Sequence, residues 1–536
     1  MTKLLQNPVL VREMRQAARL SRTPVILSIV TVIAGLLVCA IGGAASTEAP
    51  PAEVGSILYQ AFFSLAFAVV SWIGPGVAAL TIVGERAGRT WEPLVLTGLS
   101  PRAVAQGKLL AALSYLGLYL AALAPVAALP FLFGGVTATE VVLGYALLAV
   151  FSVVAAGFGL AVSSGAATPA MALLVTLPLA VSASMLTYFG LGVGGSMLAH
   201  EVWATVPQGM PVWLPTAYAR ADLNTAYTVY LVALPVGVAW ILVSFFREVT
   251  IANLSDPNDD RSSGLKRWFC MASALVVVIG ALPPWLSRSH AWAIAMIAQG
   301  AQALLSAFTL LVLCAEPAGP SRRILAEWRL AKAGPLRRFF GPGLARTLAL
   351  LVAVTALAEL ALAVVGAAAN TTGSGASRER IGNALFAGYA TSFFGFLAGF
   401  ALFARSFPRG RLPPRAMLSL AMFAAVAGPL FVLAIAGLIT SFGGNAYWIA
   451  APSPLYVFAL LDDIGVAAKH PALAAGVAAM VGWTILGAVL GAMGFRRLRT
   501  IARAARAAEG ALEARLRAED EAAARTSPAT TDGVLG

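Results

Sequence analysis

Apolar residues run through this chain in blocks of about twenty, each closed by a short polar or basic stretch. A block of that length crosses about 30 Å of hydrocarbon at 1.5 Å per helical residue. The pattern predicts twelve transmembrane helices. Six lie near Pro24–Ala45, Ile57–Val83, Leu109–Phe133, Glu140–Ser163, Pro169–Leu191 and Thr228–Phe246. Six more lie near Phe269–Ser287, Ala291–Leu313, Thr347–Ala368, Ala384–Ala404, Ala416–Ser441 and Leu473–Phe495. Proline and glycine inside the blocks do not argue against helix, since both are commoner in membrane helices than in soluble ones. The expected fold is all-α, a polytopic transmembrane bundle. It reads as a six-span unit over 24–246, a linker over 247–268 and a second six-span unit over 269–495. Residues 1–23 and 496–536 flank them.

Composition supports this. Of 536 residues, 59% are hydrophobic and 11% charged, against roughly 25% charged in a soluble domain. The formal charge of +13 does not point to nucleic acid, because the basic residues sit in clusters at the ends of apolar blocks. In alternate connections, 32 of the 37 Lys and Arg fall on the side that holds the N-terminus. The opposite side holds only Arg220, Arg288, Arg378, Arg380 and Lys469. By the positive-inside rule both termini are expected in the cytoplasm of a multi-pass cell-membrane protein. The first apolar block is too long for a signal-peptide core and is expected to stay as an anchor.

Three long connections lie on the non-cytoplasmic side, about Gly192–Tyr227, Asn370–Asn383 and Phe442–Ala472. Apolar stretches in the first and third suit re-entrant or interfacial positions, with Trp203, Trp213 and Trp448 at the interface. VWLPTAY (Val212–Tyr218) and YWIAAPSPLY (Tyr447–Tyr456) each precede the last span of their half. A degenerate duplication and coincidence both account for that likeness. Arg496–Arg525 is expected as a solvated helix or short coiled coil, and Thr526–Gly536 as a disordered tail.

Two segments carry more than topology. In QNPVLVREMRQAARLSR (Gln6–Arg22), Val9, Leu10, Met14 and Ala17 or Ala18 share one helical face, and the arginines lie mostly elsewhere. This is the pattern of a helix on the membrane surface, although a plain basic flank fits it too. In GERAGRTWEPLVLTGLSPRAVAQGK (Gly84–Lys108), a short apolar run, Pro93–Leu99, sits between polar ends. It is too short to span and is expected to pack on protein or skim the interface.

NPVLVREMR, followed by GERAGRTWEPLVLTGLSPR and GKLLAALSYLGLYL, resembles the permease subunits of type 2 ABC exporters over about Leu4–Phe246. Arg89-Thr90 stands where that family usually has Gly-Thr, and Gly98 where proline is common. The resemblance implies that the connection after the second span docks on a separate ABC ATPase, with Glu85, Arg86, Thr90, Glu92 and Ser100 at or near the contact. A second copy of the chain, or a second permease, is a further expected partner. No nucleic acid, cofactor or metal is expected.

Chemistry on the chain itself is not expected. There is no GxxxxGK[ST], HExxH or GxSxG, and His200, His290 and His470 are scattered. Cys39, Cys270 and Cys314 form no CxxC pair. ATP hydrolysis would belong to the partner. One carboxylate, Glu359, falls mid-block, where a charge costs at least about 2.5 kcal/mol. It reads either as a proton or cation relay, which would make a secondary transporter, or a substrate contact in the bundle interior, or else as a protonated or hydrogen-bonded helix–helix contact, for example to Gln299 or Gln302. The last is favoured, because a proton-coupled carrier ordinarily needs more than one such group. A membrane scaffold that conducts nothing is the non-transport alternative.

Overall fold

The computed structural model describes residues 7–19, 22–256, 258–286, 291–332, 334–369, 376–407, 413–439, 446–463 and 471–526. The protein is 85% helical, and no strand occurs among the described residues. Twelve helices are long and apolar enough to cross a membrane, so it is an all-α, multi-pass membrane protein. All twelve overlap the blocks read from sequence. Several run beyond them, as at Pro51–Ala87 and Pro101–Phe133. The apolar block marks only the lipid-facing middle of a helix, whereas caps and proline at the first turn carry it further.

Two compact units divide the chain, Met1–Ser287 and Arg288–Gly536. The division does not fall in 247–268, where the sequence placed a linker. There α11 (Leu234–Leu254) and α12 (Ser263–Ala281) pack on each other. The Phe245 and Trp268 rings are 4.8 Å apart, and Trp268 Nε1 donates to Ser244 Oγ at 3.0 Å. The seventh span thus belongs to the first unit.

In the first unit, α1 (Pro8–Arg19) precedes α2 (Arg22–Ala45) and α3 (Pro51–Ala87). Next come α4 (Trp91–Leu96), α5 (Pro101–Ala127), α6 (Leu129–Phe133) and α7 (Ala138–Gly165). The central helix is α3, packed on α2, α5, α7 and α8 (Pro169–Leu186). Close approach needs small residues: a Cβ on Gly159 of α7 would lie 2.2 Å from Pro75 O. The outer faces are apolar, as lipid requires, with Val142 at 67% and Leu174 at 69% exposure.

The fifth span is longer than its apolar block. A π-helical stretch, Thr187–Gly194, joins α8 to α9 (Gly195–Val202), so the connection begins at Trp203 rather than Gly192. Trp203 is buried with its ring 6.3 Å from Tyr230; it is a core residue, not the interfacial anchor expected. After it, α10 (Leu214–Arg220) is tied down. Gln60 exchanges two hydrogen bonds with the Val212 backbone, at 2.9 and 3.2 Å. The Arg220 Nε lies 2.9 Å from a Glu140 oxygen, and Glu140 also closes a capping box with Thr137.

The second unit holds α14 (Ala291–Leu313), α15 (Arg322–Leu330), α16 (Pro335–Phe340), α17 (Leu344–Ala369), α18 (Ala376–Arg405) and α19 (Pro414–Ile439). It ends with α20 (Ala446–Ala450), α21 (Tyr456–Asp463) and α22 (Pro471–Thr526); α13 is the short Pro283–Leu286 turn of the first unit. Here α18 is central, packed on α14, α17, α19 and α22. GAVLGAMG (Gly487–Gly494) lies in that packing: a Cβ on Gly399 would sit 2.1 Å from Gly487 O. Beyond Phe495, α22 continues as one helix with its described side chains largely exposed, in line with a solvated segment. The side chains of Asp462 and Asp463, together with His290, His470 and the 527–536 tail, lie outside the described residues.

The likeness between the two pre-terminal connections has a structural counterpart. The last tyrosine of VWLPTAY, Tyr218, donates to Leu231 O in the sixth span. The last tyrosine of YWIAAPSPLY, Tyr456, donates to Ala472 O at the start of the twelfth, at 3.1 Å. Each tyrosine staples its connection to the span that follows.

Candidate functional site

The two motif segments of the first unit meet at one end of the bundle. Asn7 caps α1: its Oδ1 accepts from Val9 N at 3.0 Å, and its Nδ2 donates to Ala103 O at 2.8 Å. Gly107 lets α1 lie against α5, because a Cβ there would come within 2.8 Å of Asn7 Oδ1 and Val9 Cβ. Val9 and Leu10 on the apolar face of α1 are buried within the protein. Val9, Leu94 of α4 and Val104 of α5 form one buried cluster.

Beside it lies a group of four charges. Lys108, fully buried on α5, sits 3.1 Å from Glu13 Oε1 and 3.0 Å from Glu85 Oε2. It also donates to Thr81 O at 3.2 Å. Arg12 pairs with Glu85 and lies 3.6 Å from Glu13. Two cations and two carboxylates thus balance in a place where an isolated charge would cost several kcal/mol. The group joins α1, the end of α3 and the start of α5. An open cleft of about 500 Å³ runs alongside, lined by Arg12, Glu13, Thr81, Glu85, Thr90 and Pro93 among others.

The expected contact residues divide accordingly. Glu85 and Arg86 do not lie in a loop, because α3 runs to Ala87. The Glu85 side chain is only 10% exposed and belongs to the ion group, so it is not a solvated charge at a helix end. Arg86 turns inward, donating to Ser164 O at 2.9 Å and lying 5.3 Å from the Trp91 ring. Ser100 caps α5 through Ala103 N at 3.3 Å. Thr90 and Glu92 are exposed. So are Val95 at 55% and Leu96 at 85%, on the tip of α4, and sequence reasoning did not single these two out. Leu94, between them and α1, is buried. The apolar run Pro93–Leu99 therefore splits, with one residue anchoring α4 and its neighbours bare.

The turns around α4 are left-handed. Gly98 has φ +71°, which excludes proline. Arg89 has φ +56°, a conformation that favours glycine.

Glu359 occupies a second buried polar region, within the second unit. Thr355 Oγ1 donates to Ser306 Oγ at 2.8 Å, and Gly366 faces Ala295. That antiparallel register of α17 on α14 puts Glu359 level with Gln302. Gln299 Nε2 donates to Asn383 O of α18 at 3.1 Å. Glu359, Gln299 and Gln302 are all fully buried, and neither Glu359 oxygen has a hydrogen-bond partner. The helix–helix hydrogen bond expected from Glu359 to Gln299 or Gln302 is therefore not made.

Among the described residues no group of His, Cys, Asp or Glu is arranged to hold a metal ion. In comparison with known proteins, no family model, no curated protein and no solved structure matches the chain.

Proposed function

We propose that this protein is the membrane-spanning permease subunit of an ABC-type exporter, set in the cell membrane with both termini cytoplasmic. A separate ATPase would hydrolyse ATP and drive movement of a substrate. One observation carries the reading: α4 is a short helix with a buried root and a bare tip. Leu94 packs its root against Val9 of α1 and Val104 of α5, beside the Arg12–Glu85–Lys108–Glu13 group that ties α1, α3 and α5 together, while Val95 and Leu96 face outward. A rigid knob of this kind passes a partner's rotation to two spans at once. In this reading Thr90, Glu92, Val95 and Leu96 touch the ATPase, whereas Glu85, Arg86 and Ser100 hold the knob in shape.

The test is co-purification of the full chain. Leu96→Asp is expected to abolish recovery of an ATPase while leaving the melting temperature unchanged. Transport that persists without any ATPase would overturn the reading. A second reading, a secondary transporter coupled through Glu359, is favoured by that residue's lack of a partner. Transport lost in Glu359→Gln and indifferent to Leu96→Asp would establish it instead.

A further inference from the structure

The connection between α14 and α17 is closed at its neck. Leu344 N donates to Pro317 O at 3.1 Å, Gly343 N to Glu316 Oε1 at 2.9 Å, and Thr347 Oγ1 to Glu316 Oε2 at 2.5 Å. The chain therefore leaves one span and enters the next at the same place. Between these points α15 folds back on the neck. Ile324 and Trp328 are buried, and the Trp328 ring lies 2.3 Å from where a Cβ on Gly341 would stand. The pair α15–α16 is thus held close to the ends of two membrane helices.

What this loop leaves uncovered is unusual for a surface bathed in water. Leu330 is 87% exposed and Leu336 71%, with Phe339 at 45%. Interleaved with them are the exposed Arg329, Arg337 and Arg338, and residues 314–343 hold six Lys and Arg against two Glu. One of those acids, Glu316, is used at the neck. The other, Glu327, lies 3.6 Å from Arg323. Bare leucines call for an apolar phase, and an excess of cations calls for anions. The headgroup boundary of an anionic leaflet supplies both.

We propose that α15–α16 docks on the membrane surface. Leu330, Leu336 and Phe339 enter the acyl boundary, while Arg329, Arg337 and Arg338 pair with the phosphates of anionic phospholipids. Membrane contact then fixes the loop that joins α14 to α17, the helix that carries Glu359.

The test uses the full chain with Cys39, Cys270 and Cys314 replaced by alanine and a spin label at Ala331→Cys, in vesicles of phosphatidylcholine alone or mixed with phosphatidylglycerol. In mixed vesicles the label is expected to be shielded from a water-soluble nickel chelate and open to dissolved oxygen. In phosphatidylcholine alone it returns to water, as it does in mixed vesicles when Arg329, Arg337 and Arg338 are replaced by alanine. A label equally open to water in both vesicles overturns the proposal. So does equal shielding in both, which would remove the role of lipid charge. Shielding that appears only when an ATPase is added overturns it too, and makes the surface a protein dock. Because the lipid comparison needs no arginine substitution, a poorly folded variant leaves the test intact.

Discussion

Glu85 and Glu359 are both carboxylates taken out of water, and they are held in opposite ways. Glu85 faces Lys108 and Arg12, with Glu13 completing the balance. Glu359 lies level with Gln302 and has no hydrogen bond on either oxygen. The first is an assembled joint: each charge is needed by the others, so losing one strands the rest. The second contributes nothing by its charge to holding helices together. A buried acid is therefore structural in the first unit and functionally suspect in the second, and burial alone does not distinguish them.

Substitutions test this contrast, and the largest effect belongs to the joint. Lys108→Ala leaves two carboxylates with Arg12 alone and is expected to cost about 3–5 kcal/mol, read as thermal unfolding in detergent. A loss below about 1 kcal/mol would mean that the four charges do not act as a unit. Next comes Gly107→Leu, which pushes Asn7 and Val9 off α5. It should cost about 1–3 kcal/mol and make α1 sensitive to limited proteolysis. Opposite in sign and smaller, Arg89→Gly relieves a left-handed backbone and is expected to stabilise by about 1 kcal/mol. Smallest is Glu359→Gln. It keeps the shape and exchanges one buried, partnerless polar group for another, so the change in stability should be the smallest of the four, under about 1 kcal/mol. A large loss there would show that Glu359 has a structural partner and would erase the contrast.

Much of this was legible in the chain, for identifiable reasons. Twelve apolar blocks gave twelve helices, because lipid leaves the backbone no other way to satisfy its hydrogen bonds. The small-residue run Gly487–Gly494 lets α22 approach α18 closely, since a Cβ on Gly487 would stand 2.8 Å from Gly395 O. Other points were not local. The amphipathic helix α1 forms as read, but amphipathicity reports that a face needs cover and not what covers it. The cover turned out to be Leu94 and Val104. Trp203 was placed at the interface by its residue type, but the fifth span runs on through a π-helical stretch and buries it.

Sequence by itself determined the class of fold, the number of spans and where charge collects, because each follows from local hydropathy and length. Only the tertiary structure decided which residues of Gly84–Lys108 turn inward and which remain bare. Glu85 and Arg86 are neighbours in sequence, yet their partners Arg12 and Ser164 lie more than seventy residues away. Burial and pairing are properties of two surfaces brought together, and no single stretch of chain contains both.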